Sequence, residues 1–259
     1  MKIVISTPFY EVKAYSPYIV SLINSIRVLD ELKIEWDYYE LSGDSYVDRA
    51  KNSLIHRFLQ SDATHIFMVD SDLAWDVEGF ARVLKAALAG CEVVGGAYPN
   101  KNNWSTYGAI PNIDAESGMI MGKEMAGMRL MDMLGIPGGF IIYSREAIER
   151  TRPNLNSYTN WDKDEKGEPR QVTYLECFRC NIEPDGGRIG EDIYFQRRYR
   201  EAGGMLWCEP NVNFQHFGVK GWAGNFNEYC LCKTGVNKAL DDCEAAFGTA
   251  CTPGDALCE

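Results

Sequence analysis

The chain has 259 residues, 46% of them hydrophobic, enough for one compact domain with a sizeable core or a domain carrying a lobe. A formal net charge of −11 argues against a broad basic face that would track nucleic acid, although it leaves room for a local basic groove. No apolar run approaches the ~18 residues that a bilayer span requires. Residues 1–6 pass straight into a strand-like stretch with no signal-peptide core, so a cytoplasmic protein is expected.

Residues 2–7 (KIVIST) predict a buried first strand that Pro8 stops. Ser16-Pro17 has the look of an N-cap with proline at the first helical position. The helix it opens runs to about Leu32, with Ile19, Leu22, Ile23, Ile26 and Leu29 at helical spacing. A second strand is expected over 34–41. A helix follows over 46–60, with Val47, Ala50, Leu54, Ile55, Phe58 and Leu59 on one side. Residues 64–69 (THIFMV) form a continuous apolar strand that runs directly into Asp70-Ser71-Asp72. A helix over 80–89 ends at Gly90, and a strand over 92–97 follows. This alternation implies a mostly parallel sheet with helices on both faces.

After Pro99 the rhythm changes. Residues 100–135 read as loop and short strands, 138–144 as a strand and 145–151 as a short helix. Residues 154–187 lack periodicity and suggest a long loop. A helix over 189–202 opens on Gly190-Glu191-Asp192, and a late strand covers 205–208. From Asp241 small and acidic residues dominate, as in a poorly ordered tail. Nine cysteines, an odd number, cannot all pair. Cys177-x-x-Cys180 and Cys230-x-Cys232 raise the question of zinc, but paired Cys-x-x-Cys knuckles are missing and reduced thiols are the simpler reading.

In open parallel sheets, ligands collect beyond the carboxyl ends of the strands. Ser6-Thr7-Pro8, Asp70-Ser71-Asp72 and Asn100 fall at such ends. Two carboxylates one residue apart need a cation or a shifted proton, and hard oxygens suit Mn²⁺ or Mg²⁺. The plainer alternative makes them a solvated turn, or a cap on the helix-like stretch beginning at Asp76. His216, between aromatics in Asn213-Phe214-Gln215-His216-Phe217-Gly218, either packs or completes an Asp/Asp/His metal site. Glu191-Asp192 either complements the helix dipole or aims a general base at a substrate hydroxyl.

Six landmarks occur in a telling order: Ile5-Ser6-Thr7-Pro8, Arg49-x-x-Asn52, Met68-Val69-Asp70-Ser71-Asp72, Gly138-Gly139-Phe140, Gly190-Glu191-Asp192 and His216-Phe217-Gly218. Together they resemble the GT-A superfamily of nucleotide-sugar-dependent glycosyltransferases, especially the compact phage and bacterial versions. The resemblance implies a GT-A (Rossmann-like) α/β fold: a mixed, mostly parallel sheet flanked by helices, with a smaller acceptor-side lobe. Residues 1–100 would bind the nucleotide-sugar, 101–225 would form the acceptor and catalytic half, and 226–259 a C-terminal helix and tail.

It also implies individual roles. Thr7 and Pro8 would line the nucleotide pocket, with Arg49 and Asn52 near base or diphosphate. Asp70, Ser71 and Asp72 would form the Asp-x-Asp motif, Asp72 being the more direct ligand of Mn²⁺ (or Mg²⁺) and His216 the late ligand. Asp192, beside Glu191, would be the catalytic base of an inverting displacement, preferred over the retaining course that other GT-A enzymes with the same Asp-x-Asp site follow. Lys220 and Trp222 would close over the diphosphate. The implied donor is a UDP-sugar or related nucleotide-diphosphate sugar, used by a hexosyltransferase-like enzyme in the cytoplasm (the host's, if phage-encoded).

The implied acceptor is a hydroxyl on a hydroxymethylated base in phage DNA, on a glycan or on a protein. Arg145, Arg150, Arg152, Arg170, Arg179, Arg188, Arg197, Arg198 and Arg200 concentrate positive charge in the second half and keep DNA in view. Two other readings stand beside this one. A sugar nucleotidyltransferase would ordinarily carry a glycine-rich basic loop where this chain has Ser6-Thr7-Pro8-Phe9-Tyr10. A non-catalytic nucleotide-sugar or glycan-binding module would bind without turnover.

Overall fold

The computed structural model describes residues 1–101, 103–163, 167–218 and 221–233. The first part alternates as predicted, with one short strand, β4, that was not expected: β1 (Lys2–Phe9), α1 (Ser16–Glu31), β2 (Glu35–Ser42), α2 (Val47–Gln60), β3 (His65–Val69), β4 (Leu73–Trp75), α3 (Val77–Leu88) and β5 (Val93–Gly95). Short strands follow: β6 (Pro99–Asn100), β7 (Asn103–Tyr107), β8 (Ile110–Pro111), β9 (Gly122–Met125) and the longer β10 (Met128–Gly135). Then come β11 (Phe140–Ser144), α4 (Arg145–Thr151), β12 (Ser157–Lys163), β13 (Pro169–Leu175), β14 (Asn181–Ile182) and β15 (Arg188–Ile189). The described chain closes with α5 (Glu191–Glu201), β16 (Leu206–Cys208), β17 (Asn213–Phe217), β18 (Gly221–Asn225) and α6 (Phe226–Lys233).

One large sheet runs β2-β1-β3-β11-β5-β16-β10-β8, with β9 paired to β10. β2, β1 and β3 are parallel, as are β5 and β16; β11 and β10 run against their neighbours. The architecture is therefore mixed α/β. Successive side chains of the central strands point to opposite faces. Ile3, Ile5, Phe67, Val69 and Phe140 pack with Leu22 and Leu29 of α1 and Phe80 and Leu84 of α3. Val4, Ile66, Met68 and Ile141 meet Leu54 and Phe58 of α2, Ile148 of α4 and Phe195 of α5. Burial on both faces explains the unbroken apolar runs of β3 and β11. Among the described residues no helix is long and apolar enough to cross a membrane.

Two local expectations change. In α1 the inward face carries Tyr18, Leu22, Ser25 and Leu29, while Ile19 and Ile23 are exposed. Trp75 is the cause. Its backbone N–H and indole N–H donate to the Ser21 and Ser25 hydroxyls at 3.0 and 2.9 Å, turning a polar pair inward. Residues 154–187, expected as loop, instead form the antiparallel hairpin β12–β13 and the small ladder β14–β15. Both faces of the hairpin's first strand are polar, so no hydrophobic alternation announced it.

Candidate active site

Asp70-Ser71-Asp72 is the turn between β3 and β4, at the carboxyl end of a central strand. The β4 strand separates Asp72 from α3, so Asp72 does not cap that helix. Strand β17 pairs antiparallel with β4 and sets His216 opposite Leu73, and the Phe217 N–H donates to the Asp72 carbonyl at 2.8 Å. His216 Nδ1 lies 2.7 Å from the Pro99 carbonyl oxygen. A carbonyl only accepts, so Nδ1 carries the proton and the neutral ring keeps its lone pair on Nε2. That nitrogen is 3.7 Å from Asp72 Oδ1. Burial holds the His216 pKa below its ordinary value, against the opposing pull of Pro99 and Asp72.

Asp72 Oδ1 is buried and makes no hydrogen bond, while Oδ2 pairs with the Lys101 ammonium. An orphaned carboxylate oxygen facing an imidazole lone pair is unfavourable unless a cation is shared between them. Among the described residues no three His, Cys, Asp or Glu side chains converge as a ready-made metal cage. The donor set at Asp72 and His216 nevertheless fits one edge of an open divalent site, in which substrate oxygens and water complete the shell.

Asp70 lines the same cleft as Asp72 and also reaches Lys51. Its Oδ1 lies 4.0 Å from Lys51 Nζ, which in turn lies 3.0 Å from Glu191 Oε1. Burial raises the Asp70 pKa, Lys51 opposes this, and the nearby Asp72, Glu191 and Asp192 charges add to the rise. Glu191 is held below its ordinary value: burial acts upward, but the Lys51 charge and hydrogen bond prevail. Asp192 moves up, through burial and the Glu191 charge beside it. Its Oδ2 accepts from the Gly138 N–H and its Oδ1 from the Ile193 N–H, both at 2.8 Å. Both acids lie in the first turn of α5, where the helix dipole favours negative charge.

Gly138 and Gly139 join the two sides. The Asp70 N–H donates to the Gly139 carbonyl at 2.9 Å, and the Gly139 N–H donates to the Tyr98 hydroxyl at 2.9 Å. A Cβ on Gly139 would stand 2.5 Å from both Asp70 Oδ2 and Tyr98 Oη, and one on Gly138 would stand 2.6 Å from the Asp192 Cβ. Gly139→Ala is therefore expected to displace Asp70 and to cost about 1–3 kcal/mol of stability. A denaturant midpoint unchanged from wild type would contradict this packing account.

A cleft of about 220 Å³ opens beside the turn, lined in part by Pro8, Tyr10, Asp44, Ala50, Ser71 and Asp72. A larger groove of about 750 Å³ lies along α1 and the outer strands β17 and β18, away from Asp192. There Asp76, Asn213 and Asn225 bond to one another.

The structure sets Pro8, Asp70, Ser71 and Asp72 along one cleft, with His216 beside Asp72, Glu191 linked to Asp70 through Lys51, and Asp192 bonded to Gly138. Arg49 stands near its rim, gripped by Asp44 through two bonds of 2.7 Å. Thr7 is buried, with its hydroxyl 2.6 Å from that of Tyr18. Asn52 spends both amide groups on the Phe178 backbone, at 2.8 and 2.9 Å. Trp222 sits opposite His216 on the β17–β18 hairpin. Lys220 and the tail 234–259 lie outside the described residues. Cys91, Cys177, Cys180, Cys208 and Cys232 are free thiols; Cys177 and Cys230 are buried, Cys180 and Cys232 exposed.

Three participants escaped the sequence reading: Lys51, Tyr98 and Lys101. Lys51 had left a trace, since it falls on the apolar stripe of α2 yet is 2% exposed. Removing one partner of a buried ion pair strands the other. Lys51→Met is expected to destabilise the fold by about 3 kcal/mol, read by chemical denaturation. A loss under about 0.5 kcal/mol would mean the pair is only decorative.

No protein-family model matches the sequence, and no curated protein matches it either. Solved structures do resemble the fold. Protein A197 from STIV is 20% identical with a TM-score of 0.50, over 84% of this chain and 86% of that one. GalNAc-T7, solved with UDP, GalNAc and Mn²⁺, is 11% identical with a TM-score of 0.50, over 86% of this chain but 45% of that one. At these identities the likeness is one of architecture. The fold is of the GT-A type.

Proposed function

We propose that the protein is a metal-dependent glycosyltransferase that moves a sugar from a nucleotide-diphosphate donor to an acceptor hydroxyl with inversion. The observation that carries this reading is the pairing of the orphaned Asp72 Oδ1 and His216 Nε2 on one side of the Gly138-Gly139 bridge with Asp192 on the other. Donor-side groups come mainly from residues 1–100, and the base and late ligand from 101–225. UDP-sugars are the first donors to test, following the UDP and Mn²⁺ of GalNAc-T7.

In this mechanism Asp72 and His216 would hold Mn²⁺ or Mg²⁺, with Asp70 beside them. When bound, the cation supplies positive charge to the departing diphosphate. Asp192 takes the acceptor proton, and the freed oxygen bonds to the anomeric carbon as the bond to the donor's phosphate oxygen breaks. The electron pair leaves with the nucleoside diphosphate. The Gly138 and Ile193 N–H groups orient the Asp192 carboxylate, and its raised proton affinity suits it to that role. Lys51 keeps Glu191 ionised, so that the proton goes to Asp192.

The arginines of the second half give little support to a polyanionic acceptor. Arg150, Arg152, Arg179, Arg197, Arg198 and Arg200 pair with carboxylates, and Arg145 binds the carbonyls of Phe58, Leu59, Ser61 and Ala63. A glycan or protein hydroxyl is the preferred acceptor. The test is a donor screen with Mn²⁺ and UDP-, GDP-, CMP- and TDP-sugars. Release of a nucleoside diphosphate supports the proposal. Pyrophosphate release from a nucleoside triphosphate and a sugar 1-phosphate, supplied in a parallel assay, would point to a nucleotidyltransferase, and binding without turnover to a non-catalytic module.

A further inference from the structure

The site holds two lysines of opposite character. Lys51 is locked, its side chain 3% exposed between Asp70 and Glu191. Lys101, in the turn after β6, is 44% exposed and pairs with Asp72 Oδ2. Its ammonium stands at one oxygen of the carboxylate whose other oxygen faces His216 Nε2. The same short segment, Pro99-Asn100-Lys101, orients the imidazole through the Pro99 carbonyl, so lysine and histidine share one frame. The lysine stem passes close to Gly218, where a Cβ would stand 3.2 Å from Lys101 Cδ.

Resting on the metal-dependent reading above, we propose that Lys101 is a tethered counter-cation of the metal site, displaced from Asp72 by the divalent ion and then free to meet the donor's diphosphate. A half-exposed ion pair is weak and a lysine stem is long, so the ammonium can yield to a doubly charged ion without rearrangement of the sheet. Until then it neutralises Asp72, whose negative charge stands close to those of Asp70, Glu191 and Asp192. Released, it carries a positive charge on a flexible arm rooted beside the cleft, where an anionic leaving group would be met by a point charge. Lys101 would then couple metal occupancy to donor binding, and this role is separate from holding the metal.

The test measures Mn²⁺ binding to the purified full chain without any donor, by the electron paramagnetic resonance of free Mn²⁺. Lys101→Met removes the competing ammonium and is expected to bind Mn²⁺ about three- to fivefold more tightly than wild type, the scale of an exposed ion pair. Lys101→Arg, which keeps the charge, should match wild type. With Mn²⁺ saturating, UDP should bind Lys101→Met several-fold more weakly. Equal or weaker Mn²⁺ affinity in Lys101→Met, with Asp72→Asn abolishing binding, would overturn the proposal and leave the metal site standing. No Mn²⁺ binding by wild type or Lys101→Met would overturn both. Undiminished UDP affinity would overturn the hand-over to the diphosphate.

Discussion

Asp72→Ala is expected to abolish Mn²⁺-supported turnover, with a fall of about 10³-fold or more in kcat/KM for whichever donor is used. The reason is local. Asp72 Oδ1 is buried without a hydrogen bond beside the His216 lone pair, and Asp70, which shares the cleft, is already engaged by the Lys51 charge. The fold should survive, because the Asp72 backbone carbonyl still accepts from Phe217 and only an exposed lysine loses its partner. Thermal unfolding close to wild type together with lost turnover is the expected pair of results. Wild-type rates at low Mn²⁺ in Asp72→Ala would refute the metal assignment.

Asp192→Asn is expected to lower kcat by about 10²- to 10⁴-fold with little change in donor KM, the mark of a lost general base. Asparagine can still accept from Gly138 through its carbonyl oxygen, so α5 and the glycine bridge should stay in place. The pH profile adds an independent reading. The base works ionised, and burial together with Glu191 raises the Asp192 pKa, so wild-type activity should fall with decreasing pH above the usual aspartate range. Transfer that continues at wild-type rate in Asp192→Asn would give Asp192 another task.

Much of this was visible beforehand, and the gaps have physical causes. Most strands and helices through residue 97 announced themselves because they bury one stripe or both faces; the three-residue β4 was too short to do so. The later hairpin β12–β13 did not, since its stability comes from pairing and from contact with α2 rather than from a patterned face of its own. The Asp-x-Asp turn, Glu191-Asp192 and His216 were legible from residue type and position after a strand or at a helix start. Their grouping was not, because it depends on β11 entering between β3 and β5. Asn52 shows the opposite error of resolution. The resemblance put it near base or diphosphate, whereas its bonds to Phe178 pin α2 to the segment before β14. Lys51, one position earlier, is the residue of that pair which reaches the acids.

The placement of β11 has a consequence for how the protein comes into being. Phe140 pairs with Val69 and Gly139 supplies the carbonyl that fixes Asp70, so a nascent chain ending anywhere before this strand has the acidic turn but nothing to orient it. Its β3 and β5 edges would also lie bare, open to unwanted strand partners. Chemical competence should therefore appear late and abruptly during synthesis, when distant stretches of chain are stitched together, and pieces cut between β5 and β11 should be inert and prone to aggregate.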